Sequence, residues 1–283
     1  MGLRREATAR PYLSRANLLP TEANLIQLTA TQWSVVFNIL SFGLISMLAT
    51  TVYTLVSQHR VLPKYRNALV LSSMVTFIAG YHYLRIFDSF KHATQEGTFN
   101  VSHDVNTSST AFNEAYRYVD WILTVPLLLV EVIAVLALAK EASKSLITRL
   151  VPASAAMIAL GYPGETSSDQ GEKIMWGVLS TIPFLYILYV LFVELGKSLD
   201  RQPEGVAATI GRLRLLLIAS WGVYPISYLL PIIDADGAAS SGAFVGRQVG
   251  YTIADVVAKC VWGLTILKIA RMKSIAEGMK DDH

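Results

Sequence analysis

Seven stretches of this 283-residue chain, at roughly 31–56, 67–90, 112–138, 146–162, 173–195, 212–230 and 244–270, run apolar for longer than a soluble core helix needs. About 20 mostly apolar residues carry a helix across ~30 Å of hydrocarbon, so each stretch predicts a transmembrane helix. Composition agrees, with 53% of residues hydrophobic and 16% charged. The connections are mostly short, no Pro/Gly/Ser-rich linker separates two halves, and no internal repeat divides the chain. The expectation is an all-α fold: one seven-helix bundle over 31–270, an external N-terminal segment at 1–30 and a tail at 271–283.

The net charge of +3 is no argument for nucleic acid, because in a membrane protein the placement of Lys and Arg carries the information. Fourteen of them (Arg60, Lys64, Arg66, Lys140, Lys144, Arg149, Lys197, Arg201, Arg212, Arg214, Lys268, Arg271, Lys273 and Lys280) fall in the first, third and fifth connections and the C-terminal tail. The opposite side has seven, four of them in the N-terminal segment (Arg4, Arg5, Arg10, Arg15). This excess predicts a cytoplasmic C-terminus and an external N-terminus. Residues 1–30 lack the continuous apolar core of a cleavable signal peptide, so the first helix is expected to direct its own insertion. The single cysteine, Cys260, excludes an internal disulfide and a cysteine-based metal cluster, and reads as a small buried apolar residue. His92 and His103 in the polar loop at 91–111 match no metal spacing, so that loop reads as solvated and no metal is expected.

An ionisable side chain at mid-membrane costs several kcal/mol, so each one asks for a partner or a function. Six stand out: His82, Arg117, Asp120, Glu131, Asp255 and Lys259. Asp255 and Lys259 are four residues apart in YTIADVVAKCVWGL and share one helix face. They can form a buried ion pair, and an amine held in a bundle core is also what Schiff-base chemistry with an aldehyde requires. In EAYRYVDWILTVPLLLVEVIAVL, Arg117, Asp120, Thr124 and Glu131 fall on or near one stripe. At 1.5 Å per residue Glu131 lies roughly 16 Å from Asp120 toward the cytoplasm. A mid-membrane carboxylate beside a cation and an isolated carboxyl nearer the inner face make a proton relay, the first as acceptor and the second as donor.

At these residues the chain resembles a microbial (type 1) rhodopsin. The resemblance runs from about 31 to 270 and rests on RYVDWILTVPLLLVE, on SWGVYPISYLLP at 220–231, on YTIADVVAK at 251–259, on GYHYLRIF at 80–87 and on GYPGE at 161–165. Within that superfamily the chain is most similar to the xanthorhodopsin and proteorhodopsin proton pumps. The resemblance implies all-trans retinal on Lys259 as a protonated Schiff base, Asp120 as primary counterion and proton acceptor, and Asp255 as second counterion. It further implies Glu131 as cytoplasmic proton donor, Arg117 on the outer exit path, and His82 as partner of the acceptor carboxylate. Trp121, Ser180, Phe184, Trp221, Tyr224, Pro225 and Tyr228 would line the chromophore, with Leu128 at a position that tunes its colour toward green.

The triplet Asp120, Thr124 and Glu131 matches the outward proton pumps of that group, whereas chloride and sodium pumps carry other residues at these positions. Arg247 departs from archaeal relatives, which place a proton-release carboxylate there, and this puts early proton release in question. Gly177 replaces a bulky tryptophan found over the retinal ring in many microbial rhodopsins, which implies a lipid-facing window where a carotenoid could lie. The resemblance also implies a homo-oligomer, a pentamer or trimer, with His82 near the protomer boundary. The expected activity is transport and not enzymatic conversion. The rival reading is a sensory photoreceptor that signals through a membrane transducer, against which Glu131 argues because sensors generally lack an effective internal donor.

Overall fold

The computed structural model describes residues 25–94, 100–102, 112–167, 169–194, 196–197, 199, 202–203, 205–233 and 240–280. Arg4, Arg5, Arg10, Arg15, His103 and Arg201 lie outside the described residues.

The seven expected spans are seven helical rods. The first five are α1 (Ala30–Val56), prolonged by a 3-10 turn at Ser57–Arg60, then α2 (Pro63–Ala93), α3 (Ala115–Leu136), α4 (Lys140–Thr166) and α5 (Gln170–Tyr189), prolonged by a π turn at Val190–Glu194. The sixth rod joins α6 (Val206–Trp221) to α7 (Val223–Ile233), and the seventh joins α8 (Ser241–Asp255), a π turn at Val256–Val261 and α9 (Trp262–Ala276). Among the described residues six helices are long and apolar enough to cross a membrane. The seventh rod is the one interrupted by its π turn.

Several ends differ from the apolar limits read in the sequence. α2 and α4 begin at Pro63 and Lys140, several residues before their apolar stretches, because their first turns carry charged residues such as Lys64, Arg66, Lys140 and Glu141 that hydropathy does not count. α3 stops at Leu136, where Ala137 adopts a left-handed conformation with φ of 50° that ends the helix. Pro225 breaks the sixth rod locally, since it has no N–H to offer the carbonyl of Trp221 one turn earlier.

Consecutive rods pack side by side, and the seventh closes the ring against α1, α2, α3 and α6. The window of α3 is the most enclosed of the six spans and that of α5 the least, so the stripe predicted to carry chemistry runs through the middle of the bundle. Large apolar side chains such as Val52, Ile182, Leu215 and Ile226 face outward, as lipid contact allows, because lipid tails are no less apolar than the core.

One feature adds to the all-helical reading. Leu25–Gln27 (β1) pairs antiparallel with Asn100–Ser102 (β2), joining part of the N-terminal segment to part of the loop that was expected to be solvated. Ile26 and Leu28 alternate onto one face of the chain and bury with Phe90, Phe112 and Phe244. A capping box between Thr29 and Gln32 then starts α1. This ribbon marks one end of the bundle, called below the ribbon end.

Candidate functional site

The π turn of the seventh rod carries Lys259, and inserted turns of this kind are frequent at functional sites. Its ammonium is 1% exposed. Lys259 Nζ donates to Asp120 Oδ2 at 2.9 Å from α3 and to Asp255 Oδ1 from one turn earlier on its own rod. The two carboxylates predicted on separate helices thus enclose one amine, and the helix spacing explains only the second of these contacts. A buried charge is tolerated only when paired and hydrogen-bonded, and here the pairing is complete.

The two acids have different surroundings. Asp255 Oδ1 also accepts from Trp121 Nε1 at 3.1 Å and Tyr224 OH at 2.7 Å, and its Oδ2 accepts from Tyr83 OH at 2.9 Å. Arg117 Nη1 stands 3.8 Å from the same Oδ2. Among the described residues the hydrogen bond to the Asp120 carboxylate comes from Lys259, and its Oδ1 has no hydrogen-bond partner. Thr124 donates to the backbone carbonyl of Asp120 at 2.8 Å.

Glu131 is fully buried on α3, about three turns along the same stripe from Asp120. Ser72 donates to its Oε1, and the indole N–H of Trp262 faces the same carboxyl group. Ser72 could not be singled out from the sequence, since a serine in an apolar helix has no pattern that announces its partner.

Next to this cluster lies a cavity of about 130 Å³. Eight expected residues line it: Trp121, Gly177, Ser180, Phe184, Trp221, Tyr224, Pro225 and Tyr228. Trp121 and Tyr224 are shared between the cavity wall and Asp255, so the cavity begins where the lysine cluster ends. An elongated apolar group attached at Lys259 fits that arrangement. Tyr118, Val125, Met157, Ile158, Gly161, Thr181 and Tyr251 complete the lining and were not anticipated, because apart from the exposed Thr181 they are glycine, apolar or aromatic residues that look like ordinary helix packing.

Two of the expected residues stand apart from these contacts. Leu128 is buried but is not among the lining residues; it continues the stripe of Trp121 and Val125 one turn further along α3, past the cavity. His82 is buried, yet no hydrogen bond joins it to Asp120, and His82 Nδ1 is without a partner just as Asp120 Oδ1 is. No group of three or more His, Cys, Asp or Glu among the described residues could hold a metal ion.

Toward the ribbon end a second polar cluster continues from Arg117. Arg117 Nη2 donates to Gln248 Oε1 at 2.8 Å, and Gln248 Nε2 donates to Glu114 Oε1 at 2.6 Å. Arg247 pairs with Glu114 at 2.8 Å and with Glu165 at 3.0 Å. The departure noted at Arg247 is therefore a cation bound between two acids, one of them in the GYPGE motif.

A seven-rod membrane bundle with an amine clasped by two carboxylates at the head of an aromatic cavity defines the class of retinal-binding membrane proteins. The chain belongs to the family described as Bacteriorhodopsin-like protein, which matches residues 35–272 and whose members bind retinal. It is 30% identical over 239 residues to the green-light absorbing proteorhodopsin of Gamma-proteobacterium EBAC31A08, covering 83% of this chain and 86% of that one. Among solved structures it is similar to xanthorhodopsin, described as a light-driven ion pump with dual chromophore, at 45% identity and a TM-score of 0.82 over 90% of this chain and all of that one. A thermophilic rhodopsin gives 44% identity and a TM-score of 0.82, covering 90% of this chain and 99% of the other.

Proposed function

We propose that this protein is a light-driven outward proton pump that carries all-trans retinal on Lys259. The observation that supports it best is the difference between the two acids that flank Lys259. Asp255 is saturated by Trp121, Tyr224, Tyr83 and Lys259, whereas Asp120 keeps an oxygen without a partner. A proton leaving the Lys259 nitrogen has room on Asp120, 2.9 Å away, while Asp255 stays as a fixed countercharge.

Retinal, when bound, supplies light absorption and the isomerisation that redirects the proton on the Lys259 nitrogen. The remaining steps belong to the chain. Asp120 accepts the proton, and Arg117, beside Asp255 and linked to Gln248 and Glu114, offers the way toward the ribbon end. Glu131 has one hydroxyl donor and no cation beside it. Burying an unpaired charge costs far more than burying a neutral acid, so Glu131 is fitted to hold a proton and pass it to the lysine nitrogen from the other side. Direction then follows from which acid is reachable before and after isomerisation. His82 acts beside Asp120 in this reading, the two unpartnered atoms being those that would share a proton.

The excess of Lys and Arg at the end opposite the ribbon supports a cytoplasmic C-terminus and an external N-terminus. The cycle leaves no covalently changed substrate, so the activity is transport. Gly177 lies on the cavity wall with Val178 and Ile182 facing outward beside it, which supports a window for a carotenoid next to the retinal ring. A homo-oligomer, pentamer or trimer, is inferred from the resemblance alone.

Illuminating cells that express the protein with retinal, in unbuffered salt, should acidify the medium, and a protonophore should abolish the signal. Replacing sodium or chloride should change nothing. Acidification that requires sodium, or alkalinisation that grows with protonophore, would overturn the proposal.

A further inference from the structure

The cluster at the ribbon end holds a buried residue to which the pumping reading gives no role beyond lying on the exit path. Gln248, on α8, is 0% exposed, and its amide sits between a cation and an anion. Its oxygen accepts from Arg117 Nη2 at 2.8 Å and its nitrogen donates to Glu114 Oε1 at 2.6 Å. Only one orientation of the amide satisfies both neighbours, since a guanidinium has no acceptor and a carboxylate no donor.

Beyond Glu114 the bonding continues and returns. Arg247 joins Glu114 to Glu165, and Glu165 Oε2 accepts from Tyr118 and Tyr251, each at 3.2 Å. Both tyrosines line the cavity. Arg117 in turn faces Asp255, which is bonded to Trp121 and Tyr224 of the same cavity wall. The bonds thus form a closed circuit from the cavity, through two carboxylates and two arginines, to the lysine cluster, and Gln248 is its one uncharged link between ions.

The geometry points to Gln248 as a positioning residue that holds Arg117 against the carboxylates around Lys259 and keeps it from collapsing onto Glu114. The inference rests on the retinal reading above. Without the amide, Arg117 has Glu114 directly beyond the vacated position. Opposite charges in a poorly solvated interior attract strongly, so the guanidinium withdraws from Asp255 and the counterion pair loses its positive neighbour. Proton uptake by Asp120 then becomes easier. The charged and titratable groups around this link are Glu114 at the N-cap of α3, Arg117, Tyr118 and Asp120 on α3, His82 and Tyr83 on α2, Glu165 on α4, Lys173 on α5, Tyr224 on α7, and Arg247, Tyr251, Asp255 and Lys259 on the seventh rod. The substitution Gln248→Leu alters none of their charges.

The test is a visible absorption titration of the retinal-loaded protein in detergent or lipid. The wild type should change colour as Asp120 takes up a proton, and Asp120→Asn should remove that transition. In Gln248→Leu the transition should move to higher pH by about one unit, a tenfold change in proton affinity. Glu114→Gln alone removes a negative charge and should leave the transition where it is or lower it. Combined with Gln248→Leu, it should cancel the upward shift, because Arg117 then has no acid to withdraw to. Should Gln248→Leu form no pigment, Gln248→Met offers an unbranched side chain of similar length with the same expected shift. A transition within about 0.3 units of wild type in the pigment-forming variant, or a shift that Glu114→Gln fails to cancel, overturns the inference. A wild type with no transition that Asp120→Asn removes overturns the retinal reading as well, a result distinguishable from either.

Discussion

Asp120 on α3 and Lys259 on the π turn of the seventh rod meet at 2.9 Å in the middle of the bundle, although 139 residues of sequence separate them. Asp255 completes the enclosure from the lysine's own helix. The pairing brings the third and seventh rods together through a charge interaction that neither could afford to leave unmade in an apolar interior.

This contact separates the two acids of α3 by experiment. Asp120→Asn removes the countercharge and should abolish light-driven acidification and shift absorption to the red. Glu131→Gln should leave the colour nearly unchanged and slow recovery of the initial state by about 10²-fold, the scale of a lost general acid. Flash spectroscopy of both variants checks the assignment. Identical spectra and identical recoveries would contradict it.

Ser72 supports Glu131 from α2. Its hydroxyl favours the charged form that Glu131 adopts on giving up its proton, so Ser72→Ala should slow recovery by about tenfold at unchanged colour, equivalent to one hydrogen bond of about 1–1.5 kcal/mol. A recovery as fast as wild type, measured by the same flash experiment, would remove Ser72 from the relay.

Two glycines packed against Tyr228 should respond differently to enlargement. A Cβ on Gly164 would fall 2.0 Å from Tyr228 Oη and 2.9 Å from Trp176 Cβ, and Tyr228 is tied by its hydroxyl to the carbonyl of Lys173 at 2.7 Å. Gly164→Ala should therefore cost about 1–3 kcal/mol by overpacking, seen as faster thermal loss of pigment. At Gly177 the closest approach is 3.1 Å to a Tyr228 ring carbon, and the outward side is open. Gly177→Trp should keep retinal while losing any carotenoid bands in the excitation spectrum of retinal photochemistry. Persistence of those bands in the variant would place the carotenoid elsewhere.

At the end opposite the ribbon, Glu277 follows α9 and ties it to α2. Lys64 reaches it at 2.5 Å and Tyr65 donates to it at 2.6 Å, and the hydrogen bond from Lys64, then that from Tyr65, holds its carboxyl below the usual range. A carboxyl lowered on folding adds stability above its unfolded titration, and that contribution is lost as pH falls through its folded value. Glu277→Gln should therefore lower thermal stability near neutral pH and make little difference in acid, below the ordinary carboxyl range of about 4. Equal melting of the two proteins at neutral pH would dismiss the tie.

Much of this protein is determined by sequence alone, because length and hydropathy fix a transmembrane helix without reference to its neighbours. That is why seven rods, the stripe of Arg117, Asp120, Thr124 and Glu131, and the Asp255 and Lys259 face could be read directly, while helix ends drifted wherever charged first turns or Ala137 set the boundary. Tertiary structure alone decided which acid is saturated and which has an open oxygen, that Ser72 reaches Glu131, that Leu128 falls beyond the cavity, and that Arg247 bridges Glu114 and Glu165. These depend on which faces of different helices meet and at what height, and a hydrogen bond between rods leaves no periodicity in either strand of sequence that makes it.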